Sequence, residues 1–261
     1  YVTEYSSDQS YVHTLLPADH IFHLFLTNQE ATFQLIEKLQ PAWIFHLAAI
    51  AISSTSFEKA SLIFQNNTAL QLNLLEAVRV KVPKARVLVV GSGMEYGMVQ
   101  HMDPSLSSTA KLDSVEYPSI DENVALSPTN PYSVSKVTQD LLGLSYVHSY
   151  SLDVVRVRPF NHIGERQTID FAIPAFASQI VEIERGKQEK IMVGSLDAVR
   201  DICDVKDVVK AYVLLLEKGV KGEVYNVGTG QGHTMQTILA KMCSIAQVEI
   251  KIETDPARFR P

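Results

Sequence analysis

A tyrosine and a lysine stand four residues apart in the segment Asn130–Lys136 (NPYSVSK). Asn130 is a favourable N-cap and Pro131 suits the first turn of a helix, so Tyr132 and Lys136 are predicted to share one face of a new helix. An ammonium group one turn away favours the phenolate, and we expect it to lower the pKa of the phenol into a range useful for proton transfer. The spacing alone also fits a solvated helix pair, so it needs context.

A serine hydroxyl supplies that context. The segment Gly91–Gly97 (GSGMEYG) directly follows the apolar run Arg86–Val90 (RVLVV). If this run is a parallel strand, Ser92 lies at its carboxyl end, where open α/β sheets bind their ligands. In isolation Ser92 would fit a turn residue between two glycines equally well. Ser92, Tyr132 and Lys136, in this order along the chain, together predict an active site whose side chains exchange a proton with the substrate.

Strands and helices alternate around these residues. Three short apolar runs are predicted to be strands buried on both faces: Trp43–Leu47, Arg86–Val90 and Asp153–Val157. Two segments between them have helical character: Phe57–Val80 and Pro131–Tyr150. This alternation predicts an α/β fold with a parallel sheet covered by helices on both faces. Later in the chain we predict two more strands and a helix: Lys190–Val193, Glu223–Val227 and Val205–Glu217.

Other segments are less regular. Val99–Asn130 is rich in Ser, Pro and Asp, and it is predicted to be a long functional loop. No G-x-x-G-x-x-G run occurs, although the backbone of such a turn holds the pyrophosphate of a dinucleotide. Tyr1–Tyr5 is predicted to be the helix that follows that turn. We expect the first strand and the turn to be missing from this chain, with real loss of the turn as the alternative. Arg258–Pro261 is likewise expected to stop within a motif.

Composition excludes several classes of protein. The 261 residues are 46% hydrophobic, which suits one large domain or a large and a small lobe. Lys and Arg number 23 against 29 Asp and Glu, so no basic face for nucleic acid is expected. No apolar run approaches the roughly 18 residues of a membrane span. Cys203 and Cys243 lack the spacing of metal ligands, which predicts a reduced cytoplasmic protein without a metal site.

Six motifs, in order and spacing, resemble those of the extended short-chain dehydrogenase/reductases, also called the NAD-dependent epimerase/dehydratase family. They are His46–Ala49 (HLAA), GSGMEYG, NPYSVSK, Arg158–Gly164 (RPFNHIG), Val199–Val209 (VRDICDVKDVV) and Tyr225–Gly230 (YNVGTG). The resemblance covers nearly the whole chain. It implies a Rossmann-type doubly wound parallel sheet over residues 1–160, to which 201–220 return. It also implies a smaller C-terminal substrate-binding lobe of residues 161–200 and 221–261, and a homodimer through the two long helices.

The resemblance also implies roles for individual residues. Tyr132 would exchange a proton with the C4 oxygen of a nucleotide-linked sugar, Ser92 would hydrogen-bond that oxygen, and Lys136 would hold the nicotinamide ribose. The implied cofactor-binding residues are Leu47, Ala48, Ala49, Asn67, Tyr132, Lys136, Pro159 and Phe160. The implied substrate-binding residues are Ser92, Asn161, Arg200 and Arg260. Each also has a purely structural interpretation, such as a surface amide for Asn67 or a local ion pair with Asp201 for Arg200.

Within the family, the segments RPFNHIGERQ and DPARFRP most resemble the enzymes that reduce GDP-4-dehydro-6-deoxy-D-mannose to GDP-D-rhamnose. The related dehydratases carry an acidic residue where this chain has Met94, which cannot move a proton. Glu95 is adjacent, but on an extended segment it would point to the opposite face. Keto reduction is therefore favoured over dehydration. A C4 epimerase, another enzyme acting on nucleotide sugars and a non-catalytic dinucleotide-binding protein stay open.

The sequence leaves the choice between NAD and NADP open. The segment Val12–Asn28 holds no acidic residue clearly placed for a ribose 2′-hydroxyl and no arginine for a 2′-phosphate. Asp19 is the single charged candidate in that segment.

Overall fold

The structure is a computed structural model that describes residues 2–4, 10–51, 57–97 and 120–258. The strands in these ranges are β1 (Val2–Glu4), β2 (Ile21–His23), β3 (Trp43–His46), β4 (Arg86–Val90), β5 (Asp153–Pro159), β6 (Asn161–Ile163), β7 (Lys190–Val193), β8 (Val199–Asp204), β9 (Val224–Val227), β10 (Gly232–Thr234) and β11 (Lys251–Thr254). The helices are α1 (Ser10–Leu15), α2 (Gln29–Leu39), α3 (Ala60–Lys81), α4 (Pro131–Tyr150), α5 (Ala172–Glu184), α6 (Val205–Lys218) and α7 (Met235–Ile245).

A four-stranded parallel sheet with the order β3-β4-β5-β9 forms the centre of the fold. His46 lies opposite Val89, and Val90 lies opposite Val157. Pro159 lies opposite Val227 at the end of the last pair. The carboxyl ends of all four strands therefore meet at one edge of the sheet, as the predicted α/β fold requires.

Helices cover both faces of this sheet, which confirms the predicted doubly wound arrangement. Val87 and Val89 of β4 pack with α3 and α4 on one face, whereas Leu88 packs with α6 on the other. Neighbouring side chains of a strand point to opposite faces, so a strand buried on both faces is apolar at every position. Leu88 and Val155 are fully buried, and each such side chain contributes about 1.5–3 kcal/mol.

Helix α4 begins where the sequence predicts. The Asn130 side chain accepts a hydrogen bond of 2.9 Å from the backbone N–H of Ser133, and the Asn130 N–H donates to the Ser133 hydroxyl at 3.1 Å. Pro131 occupies the first turn of the helix. A backbone N–H at that position would have no acceptor within the helix, so proline loses no hydrogen bond there. The helix ends at Ser151, which adopts a left-handed conformation with a φ of 56°. These signals at the two ends determine where α4 begins and where it ends.

Two predictions near the start of the chain are wrong. Tyr1–Tyr5 was predicted to be helical, but Val2–Glu4 form a strand that pairs in parallel with Ile21–His23. Trp43–Leu47 was predicted to be buried on both faces, yet the side chains of Trp43 and Phe45 are 47% and 38% exposed. Among the strands that the structure describes, β3 is the outer member of its sheet, and its Ile44 and His46 face the core while Trp43 and Phe45 are exposed.

The predicted long loop Val99–Asn130 lies partly outside the described residues. Residues 120–130, which the structure describes, contain neither helix nor strand.

A second group of elements follows the central sheet. Strands β10, β8 and β6 form one small sheet, and β11 pairs with β7. Helices α5 and α7 pack against β7 around the buried side chains of Phe176, Ile191 and Leu239. Strand β9 pairs with β5 in the central sheet, whereas the predicted division at residue 221 assigns it to the substrate-binding lobe. None of the helices in the described ranges has the length and apolar character needed to cross a membrane.

Candidate active site

The structure brings Ser92, Tyr132 and Lys136 together at the carboxyl edge of the sheet. All three side chains are buried, with exposed fractions of 9%, 8% and 4%. The Ser92 side chain is close enough to Tyr132 to act on the pKa of its phenol. The Lys136 Nζ donates a hydrogen bond of 2.8 Å to the Val90 carbonyl and lies 6.0 Å from the centre of the Tyr132 ring. A hydroxyl, a phenol and an ammonium group thus surround one point at the end of β4.

The electrostatics of the phenol differ from the sequence-based expectation. Burial raises the pKa of Tyr132 to about 12, although the neighbouring Ser92 side chain opposes this shift. Burial also lowers the pKa of Lys136 to about 8. The expected lowering of the phenol's pKa by Lys136 is therefore wrong, because the ammonium group points to the Val90 carbonyl and burial dominates. At neutral pH Tyr132 is a phenol and can donate a proton.

The turn after β4 is compact rather than extended. Gly93–Tyr96 form a single 3-10 turn, and the Ser92 Oγ accepts a hydrogen bond of 3.2 Å from the backbone N–H of Met94. The Glu95 side chain turns back, and its Oε1 accepts a hydrogen bond of 2.7 Å from the Ser92 N–H. A Cβ on Gly91 would lie 2.2 Å from that oxygen, so a larger residue there would displace the Glu95 carboxyl group. The segment is therefore not extended as predicted, and a turn rather than strand alternation directs the Glu95 side chain to the Ser92 backbone.

A buried cluster of charges lies behind this turn. Asp140 of α4 accepts hydrogen bonds from Arg156 at 2.6 Å and from the Nε of Arg158 at 2.8 Å. The Arg158 Nε also lies 3.2 Å from the Glu95 Oε2, and its Nη1 donates to the Tyr96 hydroxyl at 2.9 Å. Sequence analysis missed this cluster. Arginines at alternate positions of an apolar strand were the available signal, because they must face the same side of the sheet.

The Glu95 carboxyl group is the most unusual member of this cluster. Its side chain is fully buried. Burial, and then the neighbouring Asp140, raise the pKa of Glu95 to about 8, while Arg158 and the Ser92 N–H oppose the shift.

The predicted cofactor-binding residues line the neighbouring ends of β3 and β5. Leu47 and Ala48 are exposed directly after β3, and Ala49 is half-buried. Asn67 of α3 is fully buried and accepts a hydrogen bond of 2.8 Å from the Ile50 N–H. Its Nδ2 donates to the Ser135 Oγ at 3.0 Å. Asn67 therefore ties the segment after β3 to the helix that carries Tyr132.

Pro159 is buried at the end of β5, and the Phe160 ring lies across two glycines. A Cβ on Gly93 or Gly228 would lie 3.1 Å or 3.2 Å from that ring. The rings of Phe160 and Tyr96 are stacked, with their centres 6.4 Å apart. Because these two positions after β4 and β9 are glycines, the Phe160 ring can pack directly against the backbone at this edge of the sheet.

His46 is a further buried group that sequence analysis did not single out. Its side chain is 4% exposed, and its Nε2 has no hydrogen-bond partner within the described part of the chain. Burial, followed by the charge of Lys136, lowers the pKa of His46 to about 3, so the imidazole is neutral at physiological pH.

The edge fits a dinucleotide on two observations. The small side chains of Ala48 and Ala49 follow β3, where a ligand must approach the backbone. The Lys136 ammonium group donates one of its three N–H groups to the Val90 carbonyl, which leaves two for a ligand. The orphaned nitrogen of His46 adds a buried polar atom at the same strand end.

Two of the predicted substrate-binding residues, Asn161 and Arg200, lie on the small sheet. Asn161 is exposed on β6 opposite Ile202, and Arg200 is exposed on β8 opposite His233. The Arg200 Nη1 donates a hydrogen bond of 2.7 Å to the Val199 carbonyl. Arg260 lies outside the described residues.

Comparisons with known proteins point to one family. The sequence model of the NAD dependent epimerase/dehydratase family matches residues 2–228. A GDP-6-deoxy-D-mannose reductase from Pseudomonas aeruginosa is 35% identical over 94% of this chain and 76% of its own length. A GDP-6-deoxy-D-talose 4-dehydrogenase from Aggregatibacter actinomycetemcomitans is 31% identical over 87% of this chain and 70% of its own length. The structure of RMD from Pseudomonas aeruginosa complexed with NADPH superposes with a TM-score of 0.81 at 33% identity, over 93% of this chain and 78% of that one.

Proposed function

Because this chain belongs to the NAD dependent epimerase/dehydratase family, the extended short-chain dehydrogenase/reductases, we propose that it reduces the C4 keto group of a nucleotide-linked 6-deoxy-4-ketohexose. The proposed substrate is GDP-4-dehydro-6-deoxy-D-mannose, and the proposed product is GDP-D-rhamnose. The relatives that act on GDP-linked 6-deoxyhexoses support this choice of sugar and nucleotide. One observation carries the reaction type: a buried phenol of raised pKa lies beside the buried Ser92 and Lys136 at the strand edge.

The proposed catalytic residues are Ser92, Tyr132 and Lys136. A bound NADPH or NADH supplies the hydride for C4. Tyr132 donates its proton to the C4 oxygen, and its raised pKa keeps that proton available at neutral pH. Ser92 donates a hydrogen bond to the same oxygen and orients it. Lys136, whose ammonium group is already aimed at the end of β4, holds the nicotinamide ribose. With a hydride at C4 and a proton on the oxygen, the ketone would become an alcohol.

The other proposed contacts are those that the family resemblance implies. Leu47, Ala48, Ala49 and Asn67 hold the cofactor after β3, and Pro159 and Phe160 line the nicotinamide pocket. Asn161 and Arg200 contact the substrate phosphates, since a planar guanidinium suits phosphate oxygens. Arg260 is proposed to contact the nucleotide by resemblance alone. Residues 161–200 and 221–261 form the proposed substrate-binding lobe, although β9 pairs with β5 in the central sheet.

We expect the full chain to oxidise NADPH or NADH only when GDP-4-dehydro-6-deoxy-D-mannose is present. The loss of reduced-nicotinamide absorbance measures the reaction, and comparison of the two cofactors identifies the one used. The matched control is a dTDP-linked 4-keto-6-deoxy sugar, which tests the nucleotide. Cofactor binding without substrate-dependent oxidation would refute the reductase.

A C4 epimerase is the alternative that the same side chains permit, because it oxidises and re-reduces one carbon. An epimerase recycles its cofactor, so it would retain NAD through gel filtration and would consume none during turnover. A 4,6-dehydratase is disfavoured because the half-buried Met94 supplies no acid or base.

We also propose that the protein acts as a homodimer in the cytoplasm. Both α3 and α4 carry exposed apolar side chains, including Leu72 and Leu141, which are 41% and 51% exposed. The resemblance implies that these helices pack against their counterparts in a second copy. The cysteines in the described residues, Cys203 and Cys243, are free thiols, as suits a reducing compartment.

Substitution of Leu141 by aspartate is expected to convert the dimer into a monomer, because a charge would be buried at the centre of an apolar contact. Light scattering coupled to gel filtration measures the mass. Val209→Asp is the matched control, since Val209 is 52% exposed on α6, away from the proposed interface. A wild-type monomer, or dissociation by both variants, would contradict this interface.

A further inference from the structure

We propose that Glu95 is a positioning residue of this active site, which holds the Ser92 backbone and couples it to the helix that carries Tyr132 and Lys136. The kinetic part of this inference rests on the proposed function, and the structural part stands by itself. Glu95 touches neither of the proposed ligands. It acts through Ser92, and its charge also reaches the two other groups.

The contacts of Ser92 are the first support. Its N–H donates to the Glu95 Oε1 at 2.7 Å, and its Oγ accepts from the Met94 N–H at 3.2 Å. The two bonds fix both the backbone and the side chain of Ser92 within one short turn. A catalytic hydroxyl must be placed to a fraction of an ångström, and a shift of about 1 Å costs about 100-fold in rate. Without the Glu95 carboxyl group, the Ser92 N–H would lose its buried acceptor.

The second support is a continuous path from Glu95 to α4. The Glu95 Oε2 lies 3.2 Å from the Arg158 Nε, and the same nitrogen donates to Asp140 at 2.8 Å. Asp140 lies one helical turn after Lys136 and two turns after Tyr132, on a shared helix face. The path therefore connects the turn after β4, strand β5 and helix α4, which together carry the three proposed catalytic side chains.

The burial of Glu95 is the third support. A fully buried carboxyl group loses its hydration, so an apolar residue would serve better if this position only filled space. A leucine there could pack beneath the turn, but it could not accept the Ser92 N–H.

The charge of Glu95 reaches both neighbouring proton carriers. The charged and titratable groups that face Glu95 are Tyr132, Lys136 and Asp140 on α4 and Arg158 on β5. In residues 120–130, the Ser127 N–H donates a hydrogen bond to the Glu95 carbonyl. Glu122 in the same segment acts on the neighbouring Tyr96. Ionised Glu95 raises the pKa of Tyr132 and the pKa of Lys136. Its removal must therefore lower both values. Because the Glu95 pKa is itself raised to about 8, this effect grows as the pH rises through that value.

The test compares Glu95→Gln with the wild type across pH. Glutamine keeps the size and an acceptor oxygen for the Ser92 N–H but cannot ionise. We expect the variant to fold, to bind NADPH and to reduce the sugar. Proton donation fails once Tyr132 and Lys136 lose their protons, so the alkaline limb of its pH–rate profile should lie at lower pH than in the wild type. A profile that superimposes on the wild type would overturn the proposal.

Glu95→Leu tests the positioning part. It removes the acceptor of the Ser92 N–H, so kcat should fall about 10- to 100-fold while the KM for the nucleotide sugar changes little. A Glu95→Leu variant with wild-type kcat would overturn this part. Glu76→Gln is the matched control, because the Glu76 carboxyl group is bonded to Arg79 and Tyr146 and is remote from the turn. Its pH profile should match the wild type.

A substrate-free measurement separates this inference from the proposed function. The NMR titration of the Lys136 side-chain amine, assigned through Lys136→Arg, should give a pKa near 8 in the wild type and a lower value in Glu95→Gln. If the titration shifts and the wild type still reduces no nucleotide sugar, the reductase assignment fails and the role of Glu95 stands. An unshifted titration would refute the role of Glu95, whatever the activity.

Discussion

Replacement of Tyr132 by phenylalanine is expected to lower kcat for nucleotide-sugar reduction by about 100- to 10,000-fold, the range attributed to a positioned acid or base. The change removes one hydroxyl, which is the proposed proton donor, and leaves the ring in place. Cofactor binding should persist, because Lys136 keeps its bond to the Val90 carbonyl. Single-turnover oxidation of NADPH measures the chemical step, and fluorescence of the bound cofactor measures binding.

Tyr146→Phe is the matched control for this experiment. Tyr146 lies on the same helix, is 5% exposed, and donates its hydroxyl proton to Glu76 at 2.6 Å, away from the proposed active site. It should retain wild-type kcat and lose only the stability of one hydrogen bond, about 0.5–1.5 kcal/mol. Equal rate losses in the two variants would mean that helix α4, rather than the Tyr132 hydroxyl, limits the reaction.

Replacement of Asp140 by alanine is expected to have the largest effect on stability. Asp140 is 1% exposed and accepts hydrogen bonds from Arg156 and Arg158, which are 7% and 5% exposed. Without the carboxylate, two guanidinium groups stay buried with fewer negative partners. Removal of one partner of a buried ion pair typically lowers the free energy of unfolding by about 3–5 kcal/mol. Chemical denaturation with the purified protein measures this change.

An exposed ion pair supplies the control for Asp140. Asp207 accepts a hydrogen bond of 2.9 Å from Lys210 on the surface of α6, where both side chains are open to solvent. Asp207→Ala should leave the unfolding midpoint close to the wild-type value, because water and salt screen such a pair. If Asp140→Ala were as stable as Asp207→Ala, the buried cluster would not hold β5 against α4.

The two experiments probe different properties of one helix. Tyr132 lies in its first turn and is proposed to move a proton, whereas Asp140 lies two turns later and anchors the helix to β5. The path from Asp140 through Arg158 to Glu95 connects these properties. For this reason Asp140→Ala should also reduce activity, whereas Tyr132→Phe should leave stability nearly unchanged.

The sequence by itself determined the architecture and the proposed catalytic residues. The predicted bounds of β4, β7 and α4 match the structure, because unbroken apolar runs, an N-cap and an N-terminal proline are local signals. The carboxyl-end rule for parallel strands then sufficed to bring Ser92 to Tyr132 and Lys136. The family resemblance rests on the same short motifs, and the family comparison confirms it.

Only the tertiary structure decided the electrostatics of the site. The pKa of Tyr132 rises because the phenol is buried and because the charge of Glu95 acts on it, and neither fact can be read from a four-residue spacing. Glu95, Asp140 and Arg158 are far apart in the chain and meet only when the turn after β4, helix α4 and strand β5 pack together. Local patterns fix the elements through short-range steric and hydrogen-bonding preferences. Burial and charge pairing depend on distances between elements, which only the packed fold sets.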